Sequence, residues 1–279
     1  MSRTTKILGT AVIAMTAWAL STPIWALDLN GFLREKGHGD VAISFTAESY
    51  DEFWVGSMRV SDPDVGEVDT KSLSVWVAYG LTDKLSLIGS LPWVDTESDG
   101  LGGFAESDLQ DATLMAAYRF ASLGDRVRSN FVGAAGVRTP ASNYEANIPV
   151  DVGDGTTDWL LRLIYQLQYG GFYFSQQIGY DVRGDDAPDG IPLYTELGYT
   201  HGRATYNVFA SRLMADDGFD ILESGFTFPG VEEEYLRAGA KAFVRFNNRF
   251  GMALSVFNTL DGRNTGDASG VSLGLDIGF

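Results

Sequence analysis

From residue 41 to the end, hydrophobic and polar positions alternate in blocks separated by turn signals. Strict alternation is the signature of a strand with two unlike faces, because successive side chains point to opposite sides. The first block runs Val41 to Ala47, with Val41, Ile43, Phe45 and Ala47 on one parity. The second carries Leu73, Val75, Val77 and Tyr79, the third runs from Leu85 to Trp93, and the fourth from Ala112 to Phe120. Residues 127 to 138 form a weaker, Gly-rich fifth block of ambiguous parity. The sixth is the clearest: Trp159, Leu161, Leu163, Tyr165, Leu167 and Tyr169 alternate with Asp158, Arg162, Gln166 and Gln168. Further blocks span Phe172 to Val182, Leu193 to Tyr199, Ala204 to Leu213 (again ambiguous), Leu236 to Phe246 and Met252 to Val256. The twelfth closes the chain as Val271, Leu273, Leu275, Ile277 and Phe279 against Ser272, Gly274, Asp276 and Gly278.

The connections between blocks sort by length. Residues 80–84, 121–126, 170–171, 201–203 and 247–249 make short turns. Residues 48–69, 95–108, 139–157, 183–191, 214–234 and 260–269 make long loops. Short turns on one side, long loops on the other and an even strand number predict a closed antiparallel transmembrane β-barrel of about twelve strands. The first strand, Val41 to Ala47, is expected to pair with the last and close it. The aromatics support this. Tyr79, Tyr118, Phe120, Tyr169, Phe172, Tyr199, Phe246, Phe250 and Phe279 sit beside the short turns or at the chain end, as an interfacial girdle would. Trp93 and Trp159 would belong to the opposite girdle.

The other parity is too polar for a soluble core, since unpaired buried charges cost several kcal/mol each. Asp111, Arg119, Asp158, Arg162, Glu196, Arg237, Lys241 and Arg245 are the expected lumen-lining charges, joined by Gln166, Gln168 and Asp276. Gln176 falls on the outward parity and is a local exception.

Composition and the N-terminus fix the setting. Arg3 and Lys6, then an apolar stretch from Ile7 to Leu20 and a small residue at Ala26, form a secretory signal peptide over residues 1–26. Cleavage is expected after Ala26, with Ala19 as second choice. Residues 27–38 then form a short periplasmic segment, and 39–279 the barrel. The chain has no cysteine, which excludes disulfides, thiolate nucleophiles and cysteine metal sites. Without Arg3 and Lys6 the net charge of −17 becomes −19, which excludes nucleic acid as a partner. Hydrolytic barrels need a histidine base near the outer rim. His38 and His201 both belong to the short-turn side, so no catalytic residues, metal or cofactor are assigned and the chain is not expected to be an enzyme.

The ending Gly270 to Phe279 resembles the closing strand of bacterial outer-membrane barrels, whose terminal aromatic is read by the barrel assembly machinery. Several stretches in order extend the resemblance: Gly37-His38-Gly39-Asp40, then Tyr50 to Gly56, Tyr79 to Leu87 with Leu91-Pro92-Trp93, Asp108 to Asp111, Gly136 to Pro140, and Gly153 to Trp159. Together they resemble the outer-membrane "transporter" family, also described as the phenol-degradation meta-pathway family. Gln110 departs from the pattern, where the family has glycine, and this bears on the local bend. The resemblance implies passive passage of small, often aromatic or hydrophobic, solutes and no catalytic residues. The alternative is a non-conducting structural or adhesive barrel acting through its outer loops. Those loops carry Asp62, Asp64, Asp95, Glu97, Asp99, Asp185, Asp186, Asp189, Asp216, Asp217 and Asp220. The expected surroundings are outer-membrane lipid and lipopolysaccharide, which divalent cations could bridge to the acidic loops.

Overall fold

A computed structural model of the protein describes residues 28–100, 103–148, 152–184 and 187–279. The expected signal peptide lies outside the described residues. The wall is built from β1 (Gly39–Tyr50), β4 (Val68–Thr82), β5 (Leu85–Ser98), β6 (Ala105–Leu109) with β7 (Asp111–Leu123), β8 (Val127–Pro140) and β9 (Asp158–Tyr169). It continues through β10 (Phe172–Val182), β11 (Gly190–His201), β12 (Ala204–Ala215), β13 (Glu234–Arg245), β14 (Phe250–Arg263) and β15 (Ser269–Gly278). Each strand pairs antiparallel with its sequence neighbours, and β1 pairs with both β4 and β15. With β6 and β7 counted as one interrupted strand, the result is a closed twelve-stranded antiparallel barrel. A small hairpin of β2 (Phe53–Val55) and β3 (Met58–Val60) stands in the first long loop.

The closure seam follows the expected register, with Val41 opposite Ile277 and Ala47 opposite Val271. At its lower end Gly39 and Phe279 exchange backbone hydrogen bonds, each 2.9 Å long. The Phe279 ring stacks on Tyr79, centroids 6.3 Å apart. A Cβ on Gly39 would come within 2.5 Å of that ring, so only glycine leaves room for the terminal aromatic.

The interruption between β6 and β7 falls on Gln110. Trp93 pairs with Leu109 and Ser90 with Thr113, so three residues on one strand face two on the other. Such a bulge bends the strand. Pro92, which cannot donate to the ladder, lies opposite it and accepts the Gln110 N–H at 3.0 Å. The bend therefore forms without glycine at position 110.

The two faces separate cleanly. Ile43, Leu73, Leu161, Leu163, Val208, Leu254, Leu273 and their neighbours form an apolar belt on the outer surface, most of them with about half of their area exposed. A belt this extensive is a liability in water and the expected surface in lipid. All nine short-turn aromatics named above are exposed at one rim, and Trp93 and Trp159 are exposed toward the other. The ambiguous strands resolve: Asn130, Val132 and Ala134 point inward from β8, and Thr205, Asn207 and Phe209 from β12. Gln176 does face outward, and its amide is satisfied there. Its Oε1 accepts from the Thr195 hydroxyl at 2.7 Å and its Nε2 donates to the Tyr194 carbonyl at 3.2 Å.

Candidate functional site

The barrel interior is the candidate site, and its two sides differ. From β4 across to β9 the inward residues are mainly apolar: Trp76, Ala78, Ile88, Met115, Ala117, Val132, Leu160 and Ile164. From β9 to β14 they are mainly polar: Gln166, Tyr173, Gln177, Tyr194, Glu196, Asn207, Arg237, Lys241 and Thr259. The alternation singles out the inward charges, and the apolar side is a further feature that it does not mark. Trp76, Ile88 and Met115 sit next to outward-facing Val77, Leu87 and Leu114, so a local run of apolar residues hides which of them turn inward.

The expected inward charges are held in three tiers. Toward the long loops, Arg138 pairs with Asp158, and Asp158 also accepts from Thr156 Oγ1 at 2.6 Å. Asp111 accepts from the Tyr144 hydroxyl and lies 3.9 Å from Arg138. At mid-height Arg162 makes a two-pronged pair with Asp181. Glu196 accepts from both the Tyr173 and Tyr194 hydroxyls. Arg237 donates to Thr259 at 3.2 Å and lies over Tyr235, 4.6 Å from the ring centre. The Lys241 ammonium sits 5.8 Å from the Phe209 ring centre, with no carboxylate in ion-pair contact among the described residues. Near the short turns Arg245 pairs with Asp276 at 2.7 Å and stands 4.0 Å from Asp40, which pairs with Arg34. Arg119 departs from the others. Its guanidinium turns to the rim and donates to the Asp83 carbonyl, 2.5 Å away.

The chain's own N-terminal segment occupies the lumen. Residues 28–34 leave the start of β1 and rise along the inner wall. Arg34 N donates to Ser86 Oγ at 3.0 Å, and Phe32 meets Tyr173 edge-on at 5.1 Å. Gln166 Nε2 donates to the Asn30 carbonyl at 2.8 Å, and Leu29 N donates to Gln177 Oε1 at 2.8 Å. Leu29 and Leu33 join the apolar side. The space left beside the segment is about 10 Å³, room for about one water. Gly31 takes φ +78°, and a Cβ there would press on Ile164 at 3.2 Å, so the segment turns where only glycine fits well. The sequence signal for insertion is slight: Asp28-Leu29-Asn30-Gly31-Phe32-Leu33 alternates for a few residues only and resembles any strand entrance.

Asp28, which precedes the strands, gives the segment a pH response. Burial pushes its carboxyl from 3.8 up to about 8, while Arg162, the Ser211 hydroxyl and Lys241 pull it down and Glu196 adds to the rise. Tyr194 and Tyr235 are the other ionisable groups that sense it. An undocked Asp28 titrates near its ordinary value. Between about pH 4 and 8 the docked state holds a proton that the undocked state has lost. Docking is therefore strongest below that window and weakens as pH rises through it. Amide protection factors for residues 29–34, corrected for intrinsic exchange, are expected to fall from pH 5 to pH 8. Asp28→Asn should flatten the trend, and an unchanged slope in that variant would remove Asp28 as its source.

At the long-loop mouth Asn264 fastens three loops. Its Oδ1 accepts from Gly56 N at 2.7 Å and Ile221 N at 3.1 Å, and its Nδ2 donates to Asp220 at 2.8 Å and to the Glu232 carbonyl at 2.9 Å. Its φ of 49° is one that asparagine tolerates. Trp54 is buried in the same knot, against Gly262. Both histidines lie at the opposite rim, His201 stacked on Tyr199 in a short turn.

The fold and lumen define a membrane-spanning β-barrel of the bacterial outer-membrane type. No protein-family model matches the sequence, and no curated protein matches it. Among solved structures, an outer-membrane channel from Pseudomonas putida F1 superposes with a TM-score of 0.74 at 15% identity, over 88% of this chain and 97% of the channel. The translocator domain of the autotransporter NalP from Neisseria meningitidis gives 0.54 at 13% identity, over 88% of this chain and 90% of that domain. At these identities the likeness is one of fold.

Proposed function

We propose that the protein is a passive outer-membrane channel for small, partly aromatic or hydrophobic solutes. The observation that carries this reading is the two-sided lumen. A barrel that only had to stand in the membrane could fill its interior with either kind of side chain, whereas an apolar side facing a hydrogen-bonding side suits an amphiphilic solute. Both chain ends and the short turns face the periplasm in this reading, and the acidic loops face lipopolysaccharide outside. Phe279, exposed beside Tyr79, is the proposed signal to the assembly machinery. No energy source is invoked, because the sequence carries no nucleotide motif.

The test combines solute uptake by cells with and without the protein and single-channel conductance of the purified barrel. Lys241 belongs to the proposed path, so Lys241→Glu is expected to shift ion selectivity toward cations severalfold, read from reversal potentials in a salt gradient. Unchanged selectivity would take Lys241 off the path. Arg162, already neutralised by Asp181, is expected to contribute little to selectivity.

A second reading has its own support. Residues 28–34 lie in the lumen and leave about 10 Å³ on its apolar side, and the mouth loops are tied together by Asn264, as a non-conducting barrel acting through its outer loops would allow. Absence of both uptake and conductance would favour it.

A further inference from the structure

Leu29–Leu33 fits the lumen as a ligand fits a site. Its leucines pack on the apolar side, where Trp76 and Ile164 are buried, and its aromatic ring meets Tyr173 edge-on. Its polar groups meet the opposite side in donor–acceptor order. Leu29 N donates to Gln177 Oε1, the Asn30 carbonyl accepts from Gln166 Nε2, and Asn30 Nδ2 donates to Glu196 at 3.3 Å. The polar side also keeps hydrogen-bonding capacity that the segment does not use. Gln177 Nε2, Ser175 Oγ and Asn207 Oδ1 are buried without a hydrogen-bond partner among the described residues. Gln177 and Ser175 are wholly buried and Asn207 nearly so. Buried polar groups are paired in the great majority of cases, so such atoms together on one wall call for a ligand.

We infer that the wall formed by Gln166, Tyr173, Gln177, Glu196 and Asn207 is a solute-binding station, and that Leu29–Leu33 is its built-in competitor. This rests on the channel reading above and names the site that reading requires. The ligand that replaces the segment has an apolar, preferably aromatic, body and one edge that both donates and accepts, a hydroxyl or a carboxamide. A net charge of either sign is disfavoured, because Glu196 on the wall repels an anion and Lys241, near enough to interact with Glu196, repels a cation. Along the chain, Leu29–Leu33 reaches β1 through residues 34–38, so it can withdraw toward the short turns while the strand pairing of the barrel stays closed. Apparent affinity for the solute is then lowered in proportion to the time the segment spends docked.

The chain has no cysteine of its own, which allows a clean lock. A Cβ on Gly31 would lie 3.4 Å from the Gln166 Cβ, close to the span of a disulfide. Gly31→Cys with Gln166→Cys tethers the segment when oxidised and releases it when reduced; both states lack the Gln166 amide and carry the same strain at position 31, so their difference reports the segment. Binding of benzamide and benzyl alcohol is measured by calorimetry on the purified barrel, with toluene as the probe lacking the polar edge. The reduced protein is expected to bind both polar probes at least tenfold more tightly than the oxidised protein, with toluene weak in each. A second variant that needs no disulfide, Leu29→Ala with Asn30→Ala, loosens the segment and should bind benzamide severalfold more tightly than the unaltered protein. Equal measurable binding in the oxidised and reduced states, or no gain in the loosened variant, which keeps the whole wall, would each overturn the station. Conductance of the same samples separates this from the channel reading. A reduced barrel that binds benzamide yet passes no ions or solute keeps the station and removes the channel. A barrel that conducts equally when oxidised and reduced, and binds benzamide equally, keeps the channel and removes the station.

Discussion

Leu275→Arg is expected to remove most of the folded barrel from the membrane, while Ser272→Ala, three residues away on the same strand, leaves it largely intact. Leu275 points outward in β15, between Ile43 of β1 and Met252 of β14. It lies within the apolar belt, with 40% of its surface exposed to what must be lipid. Arginine at the bilayer midplane of such barrels costs about 2–4 kcal/mol, and its cross-strand neighbours Ile43 and Met252 offer no carboxylate to offset it. Ser272 faces inward, where it accepts a 3.0 Å hydrogen bond from Thr46, so alanine there forfeits about 1 kcal/mol. Removal of Phe279 should act with Leu275→Arg, since it takes away the stacking on Tyr79 and the paired hydrogen bonds to Gly39. The measurement is the fraction of heat-modifiable, folded band in outer-membrane extracts. Equal loss in Leu275→Arg and Ser272→Ala would invert the assignment of inside and outside. Asp276 is a poorer inward control than its position suggests. Its neutralisation would take from Arg245 the carboxylate it meets at 2.7 Å, so Asp276→Asn should be costly.

How much of this was legible in the sequence depends on how far each feature is local. Strand number, seam register and girdles follow from a period of two and from loop lengths, both of which survive without knowledge of partners. The β14–β15 hairpin shows why: Leu254 faces Leu273 and Val256 faces Val271, so each apolar parity reinforces its neighbour. The weak blocks failed for the opposite reason. In β8, Gly133, Ala134 and Ala135 have too little hydrophobic contrast to mark a face, and only pairing with Leu163, Arg162 and Leu161 sets their parity. Of the expected lumen residues, Asp111, Asp158, Arg162, Glu196, Arg237, Lys241 and Arg245 do point inward, and alternation alone predicts that. Alternation cannot say that Arg119, next to a short turn, spends its guanidinium on the Asp83 carbonyl. Nor can it place Leu29 against Gln177, a contact across 148 residues. The large apolar residues of the outer loops divide similarly. Trp54 and Tyr144 pack and tie the loops, as burial against Gly262 and the hydrogen bond to Asp111 show. Leu222, by contrast, stands fully exposed at a loop tip with φ 76°, and nothing in the structure explains it.

The other large effect is expected at mid-height, in the Arg162–Asp181 pair. Both side chains are almost wholly buried, and the guanidinium engages the carboxylate with two of its nitrogens. Nη1 also donates to the Leu161 carbonyl at 2.9 Å. Room for the arginine comes from Gly179, directly opposite on β10. A Cβ there would stand 2.7 Å from Nη1 and 2.8 Å from Cδ. Asp181→Ala leaves Arg162 charged and unmatched inside the barrel, a loss of about 3–5 kcal/mol. Gly179→Ala should weaken the pair by displacing the arginine, with a smaller effect because a flexible side chain can move. The double replacement Arg162→Met with Asp181→Leu removes both charges together and fills similar volume. It is expected to recover most of the stability lost in Asp181→Ala, because the cost lies in the orphaned charge and not in the missing attraction. Urea denaturation of the barrel in lipid vesicles, followed by tryptophan fluorescence, reads all three variants on one scale. If the double variant is no more stable than Asp181→Ala, the pair is contributing net attraction within the lumen. If Asp181→Ala costs nothing, water or another carboxylate reaches Arg162 and the closed packing around residues 28–34 is not what holds this part of the barrel together.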